Sequence, residues 1–115
     1  MHEARGTVMY LRDIIEAMDD IESFVEGMTF DEFKEDKRTF AACVRNLEIM
    51  GEAVKNLPED LKDEHDDVPW RVVAGICDKV IHAYFGVSHE IIWTTIRADF
   101  PGFRMSIEGI LSELE

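Results

Sequence analysis

The sequence predicts an all-α fold: a small up-down helical bundle of three long helices plus short helices. Three observations predict it. Apolar residues recur at steps of three and four along most of the chain, no stretch alternates with a period of two, and Gly, Pro and capping residues punctuate the periodic stretches at helical lengths. A chain of 115 residues has room for one core, so residues 1–115 are expected to form a single domain.

The first helix is marked by Val8, Leu11, Ile14, Ile15, Met18, Ile21, Val25 and Met28, with Asp13, Glu16, Asp20 and Glu22 off that stripe. Gly27 ends it, and Thr29 followed by Asp31 and Glu32 has the form of a cap for a short second helix. A third helix is expected from Lys37 to Leu57, where Phe40, Cys43, Val44, Leu47, Met50, Val54 and Leu57 keep a near-heptad rhythm. Gly51 inside it costs about 1 kcal/mol relative to Ala, and close approach of a neighbouring helix backbone is the natural return. Pro58 stops this helix or opens the next. The acidic stretch from Pro58 to Asp67 suits one short exposed helix and a loop.

Pro69 opens a helix from Trp70 to Phe85, with Val72, Val73, Ile76, Val80 and Ile81 expected to be buried and Gly86 placed to close it in a left-handed cap. Ser88 caps a long final segment in which Ile92, Ile96, Phe100, Phe103, Ile107, Ile110 and Leu114 share one stripe. Pro101–Gly102 is expected to kink or briefly break it. Three amphipathic stripes carry more apolar surface than one small protomer buries, so a homodimer built on helix faces is expected.

Apolar residues make up 46% of the chain and charged residues 32%, a globular balance. No apolar run is long enough to span a membrane, and the first residues lack the apolar core of a secretion signal. A cytoplasmic location is therefore expected, with Cys43 and Cys77 reduced and buried. Twelve basic against twenty-five acidic residues give a formal charge of -13. That excludes a chain coated for non-specific nucleic-acid binding and requires any RNA site to be small and locally built.

Several chemistries have no residues to carry them. There is no Glu-x-x-His for a dinuclear metal bundle, no zinc-ligand spacing, no glycine-rich phosphate loop and no nucleophile elbow, so neither a metal nor a cofactor is expected. His2, His65 and His89 lie among polar residues and read as surface histidines. The informative stretch is Gly75-Ile76-Cys77-Asp78-Lys79-Val80-Ile81-His82-Ala83-Tyr84-Phe85-Gly86. Asp78 and His82, four apart, are neighbours on a helix, where a carboxylate can fix the imidazole tautomer for acid–base work or simply stabilise the helix. Tyr84 reaches the same opening if the helix ends near Ala83.

The blocks Arg45-Asn46-Leu47-Glu48-Ile49-Met50-Gly51-Glu52-Ala53, Val68-Pro69-Trp70 and His82-Ala83-Tyr84-Phe85-Gly86, with Leu11-Arg12-Asp13-Ile14 and Trp93, resemble the HepT-like family over nearly the whole chain. The resemblance implies an all-helical homodimer acting as a metal-independent ribonuclease, the toxin of a toxin–antitoxin pair. It also implies an RNA substrate and a nucleotidyltransferase antitoxin that neutralises the toxin by transferring AMP to a motif tyrosine. The family motif is Arg, four residues, His, one residue, Tyr. By position His82 matches its histidine and Tyr84 the modified tyrosine.

The first motif position departs from the pattern, because Cys77 stands where the family has arginine. A thiol supplies no charge for a scissile phosphate, and loss of such a group costs about 10²–10³ in rate at comparable oxyanion sites. Arg45 is the candidate replacement, although Glu48 or Glu52 on its own helix could equally hold it. Lys79 and Arg71 are further cations nearby in sequence. On this reading His82 transfers the proton, Asp78 orients it and Arg45 meets the phosphate. The alternative is a nuclease-impaired family member that binds a nucleotidyltransferase, or a bundle whose Asp78–His82 pair is only structural.

Overall fold

The computed structural model describes the backbone of residues 2–82 and 88–115 and the side chains of residues 6–79 and 88–115. In these residues every regular element is helical. The order is α1 (His2–Val25), α2 (Phe30–Glu35), α3 (Lys37–Asn56), α4 (Glu59–Glu64), α5 (Trp70–His82), α6 (His89–Thr94), a π-helical turn (Thr95–Asp99) and α7 (Phe100–Leu114).

Local chemistry sets the boundaries. Gly27 adopts φ +76°, the left-handed conformation that closes α1. Thr29 then forms a capping box: its hydroxyl accepts from the Glu32 N–H at 3.2 Å, and the Glu32 carboxylate accepts from the Thr29 N–H at 2.9 Å. Asp36 separates α2 from α3 and caps the latter, accepting from the Thr39 N–H at 3.0 Å and its hydroxyl at 2.8 Å. Those bonds hold the Asp36 carboxyl below its ordinary pKa. Ser88 caps α6 through the N–H groups of Glu90 and Ile91.

The core is built mainly from the stripes of α1, α3 and the final segment. Leu11, Ile14, Met18 and Ile21 of α1 are fully buried, and Cys43, Leu47, Met50 and Val54 of α3 nearly so. Ile92, Ile96, Phe100, Phe103, Ile107 and Ile110 line the inner face of the last segment. Helix α1 packs against α3 and α7, and α5 rests on α3. Arg104 of α7 clamps α1 by donating to Asp19 at 2.6 Å and to Glu22.

The interruption in the final segment takes a different form from the break expected at Pro101–Gly102. Helix α7 runs through both residues, and the preceding turn, Thr95–Asp99, widens to a π-helix. Pro101 has no N–H to give the previous turn, and the wider turn absorbs that missing bond while keeping the apolar stripe in phase. The Thr95 hydroxyl, itself buried, donates to the Ile91 carbonyl at 2.7 Å.

Two further expectations are corrected. Val72 is 59% exposed; among the described side chains of α5, Trp70 and Cys77 are buried, with Val73 and Ile76 half-buried. Leu114 is likewise exposed. A continuous run of apolar residues leaves the inner face of α5 undetermined by periodicity. Val80, Ile81 and the Gly86 cap lie outside the described side chains and residues.

Gly51 has the role its cost implied. A Cβ built on it would lie 2.7 Å from the Cys77 Cβ, a separation real Cβ atoms do not reach. The α3–α5 contact therefore requires glycine at 51. Gly51→Ala should lower the urea midpoint, because the strain of about 1–3 kcal/mol exceeds the ~1 kcal/mol gained in helix propensity. Adding Cys77→Gly should make the double variant lose less than the two singles together. A raised midpoint for Gly51→Ala would contradict the packing.

Candidate active site

Helix α5 carries the motif segment, and its seat on α3 decides what surrounds that segment. Cys77 is 1% exposed and faces Gly51. Burial, aided by the neighbouring Asp78 carboxylate, pushes its thiol up to about 12. Cys43 is likewise free, buried and pushed up to about 12 by burial. Position 77 thus presents a neutral thiol to the core.

Asp78, the next residue, turns toward solvent at the edge of the α3–α5 contact. Its carboxylate accepts from Lys55 Nζ at 2.7 Å, joining α5 to α3. That hydrogen bond raises the lysine pKa, so Lys55 is a fixed cation. Both side chains remain 40–47% exposed. Position 82, the last of α5, lies one helical turn beyond position 78 on the same face. Its side chain lies outside the described set, and Tyr84 lies outside the described residues.

Arg45 is placed elsewhere. Its guanidinium donates to Glu48 at 3.2 Å on its own helix and is 70% exposed. It borders a groove between α1 and α3 lined by Tyr10, Asp13, Glu48 and Glu52. At 3.6 residues per turn, Arg45 is about 120° around α3 from Gly51, whereas Lys55 is only about 40° away. Among the described residues, the cation brought to the motif helix is Lys55. Sequence reasoning missed it, although a signal existed: Lys55 is four residues beyond the glycine that marks the close face of α3. Arg71 and Lys79 are exposed on α5.

An aromatic cluster joins α2, α3 and α6. Buried Phe33 of α2 lies 5.2 Å from Trp93 and 6.0 Å from Phe40, measured between ring centroids. His89, at the start of α6, stacks on Phe40 at 4.2 Å. It is therefore half-buried packing material and corrects the surface expectation. His65 is also half-buried, its Nε2 lying 3.5 Å from a Glu113 carboxylate oxygen. No cluster of His, Cys, Asp and Glu among the described residues could hold a metal ion.

The chain is thus a helical bundle with Cys77, Asp78 and position 82 on one helix and Trp93 in the aromatic cluster. The family model described as "Ribonuclease HepT-like" matches residues 14–110. The chain belongs to the HepT-like ribonuclease family. "Putative RNase MJ0127" of Methanocaldococcus jannaschii is 48% identical over 106 residues, covering 92% of this chain and 88% of its own. "Probable ribonuclease HepT" of Thermococcus cleftensis is 46% identical, covering 88% of this chain and 92% of its own. "Putative RNase TTE0752" of Caldanaerobacter subterraneus is 42% identical, covering 90% and 93% respectively. No solved structure gives a significant match. Among the described residues, no helix of this HepT-like chain is long and apolar enough to cross a membrane.

The buried thiols of the HepT-like chain carry a prediction. Neither Cys43 nor Cys77 should react with an aromatic disulfide reagent at about pH 8, while both should react once the chain is unfolded. Because the folded thiols titrate well above their ordinary value of 9.0, the unfolded state loses its protons first as pH rises. The thiols' stabilising contribution is therefore full below about pH 9 and falls away toward 12. Rapid native labelling of Cys77 would contradict its seat against Gly51.

Proposed function

We propose that this HepT-like chain is the ribonuclease toxin of a toxin–antitoxin pair, acting on RNA without a metal. The observation that carries the proposal is the family match across residues 14–110, which includes the whole motif segment. His82 is the group that moves a proton at the ribose 2′-hydroxyl or the leaving oxygen. Asp78, one turn away, shapes the electrostatics of that face. A nucleotidyltransferase antitoxin would silence the site by transferring AMP to the Tyr84 phenol, adding bulk and negative charge beside His82.

A second proposal has a specific observation behind it. Cys77 is neutral and buried where the family motif has arginine, which favours a weakened nuclease retained as a binding partner for a nucleotidyltransferase. One experiment separates the two: expression of wild type, His82→Ala and Cys77→Arg, with growth and RNA integrity followed in the same cells. The toxin proposal expects growth arrest and RNA loss with wild type, both abolished by His82→Ala. Arrest should be relieved by the antitoxin, which adds one adenylyl group that Tyr84→Phe cannot accept. A harmless wild type with a toxic Cys77→Arg would favour the weakened-nuclease reading.

We further propose that the protein acts as a homodimer. Val72 is 59% exposed, and an apolar groove of about 340 Å³ runs beside α5, lined by Val72, Val73, Ile76, Ala98 and Phe103. A second copy covering this face would bury it. Light scattering should give twice the chain mass for wild type and the single mass for Val72→Asp. A wild-type monomer would contradict the pairing.

A further inference from the structure

We infer that Lys55 is the phosphate-binding cation of this site, taking from α3 the part that position 77 of α5 cannot play. The inference rests on the ribonuclease reading above and names how its RNA is held. Three observations carry it. Position 77 is closed to charge, since it is buried against a glycine whose own Cβ would not fit. The same close approach brings Lys55 across, so that its Nζ stands 2.7 Å from Asp78, the next residue along the motif. Arg45 is spent on Glu48 at the α1 side of the same helix.

The pair is built so that a phosphate can enter it. Lys55 and Asp78 are both close to half exposed, so an anionic oxygen can reach Nζ without opening the core. A phosphodiester oxygen and the Asp78 carboxylate are equivalent acceptors for an ammonium group, and exchange of one for the other keeps the charge-assisted bond. Lysine presents a single rotatable charge rather than a fork, so it meets one phosphate oxygen at a time.

The groove bordering Lys55 on its other side is mixed in charge. Lys62 and Arg71 line it, but so do Glu59, Asp63 and Asp66. Lys62 is already engaged by the Val54 carbonyl and by Glu59. Lys55 therefore makes one point contact and does not begin a basic track. This fits a chain whose net charge is -13, in which RNA must be held at a small local site.

Asp78 becomes the gate on this contact, because it holds the lysine in place and competes with the substrate for it. That competition separates a phosphate-binding lysine from a merely structural tie. If the pair only ties α5 to α3, removal of either partner has the same effect. If Lys55 binds phosphate, the two removals act in opposite directions on RNA affinity.

The test uses the full chain and a short fluorescent RNA carrying 2′-O-methyl sugars, which cannot be cut through its 2′-hydroxyl. Binding is titrated over a range of salt for wild type, Lys55→Gln, Lys55→Arg and Asp78→Asn, and thermal melting is followed for each. Lys55→Gln should weaken binding about tenfold. It should also reduce the slope of log affinity against log salt by about 0.7, one single-strand phosphate contact. Lys55→Arg should keep most of the affinity, and Asp78→Asn should tighten binding. Unchanged affinity and slope in Lys55→Gln would overturn the assignment, as would parallel losses in Lys55→Gln and Asp78→Asn that track melting. In both cases the ribonuclease reading survives if unmodified RNA is still cut in a His82-dependent way. A wild type that neither binds nor cuts RNA would overturn both.

Discussion

The close approach of α5 to α3 at Gly51 and Cys77 sets the arrangement of the motif face. With hydrogen as the only side chain at 51, the two helices come near enough for the Cys77 Cβ to occupy the space a second Cβ would need. Three consequences follow from that one contact. The motif position 77 turns inward and loses any charge it could carry, Asp78 is left at the rim, and Lys55, one turn beyond Gly51, is carried into its reach. The cost of glycine inside a helix is offset by an interface that organises the motif face.

The fold was legible because its signals are local. The stripes of α1, α3 and the final segment up to Ile110, the left-handed Gly27, the Thr29 capping box and the Ser88 cap all depend on residues within a turn of one another, and all are found where the sequence puts them. Legibility failed where several solutions satisfy the same pattern. Trp70 to Ile81 is apolar on more than one face, so periodicity alone cannot choose between Val72 and Cys77 as the buried side. Pro101 announces a missing hydrogen bond but leaves open whether a kink or a widened turn absorbs it; Thr95–Asp99 shows the latter.

The candidate site was legible only along the chain. Asp78 and His82 are related by helical spacing, which sequence displays, and the matching blocks along the chain place it in its family. The cation beside Asp78 is related to it across an interface, 23 residues away, and only tertiary packing reveals it. Arg45 was the natural candidate from its position in a matching block, yet it faces the α1 groove and is held by Glu48. The same logic applies to His89, whose polar neighbours in sequence suggested the surface while Phe40 packs on it in space.

If the α3–α5 contact closes position 77 and Lys55 takes over its electrostatic part, bound RNA must meet Lys55. A crystal structure of His82→Ala with a bound short RNA tests it most directly. An RNA phosphate oxygen is expected at hydrogen-bond distance from Lys55 Nζ, with the Cys77 thiol still buried against Gly51. A phosphate held elsewhere, with Lys55 still on Asp78, would contradict it.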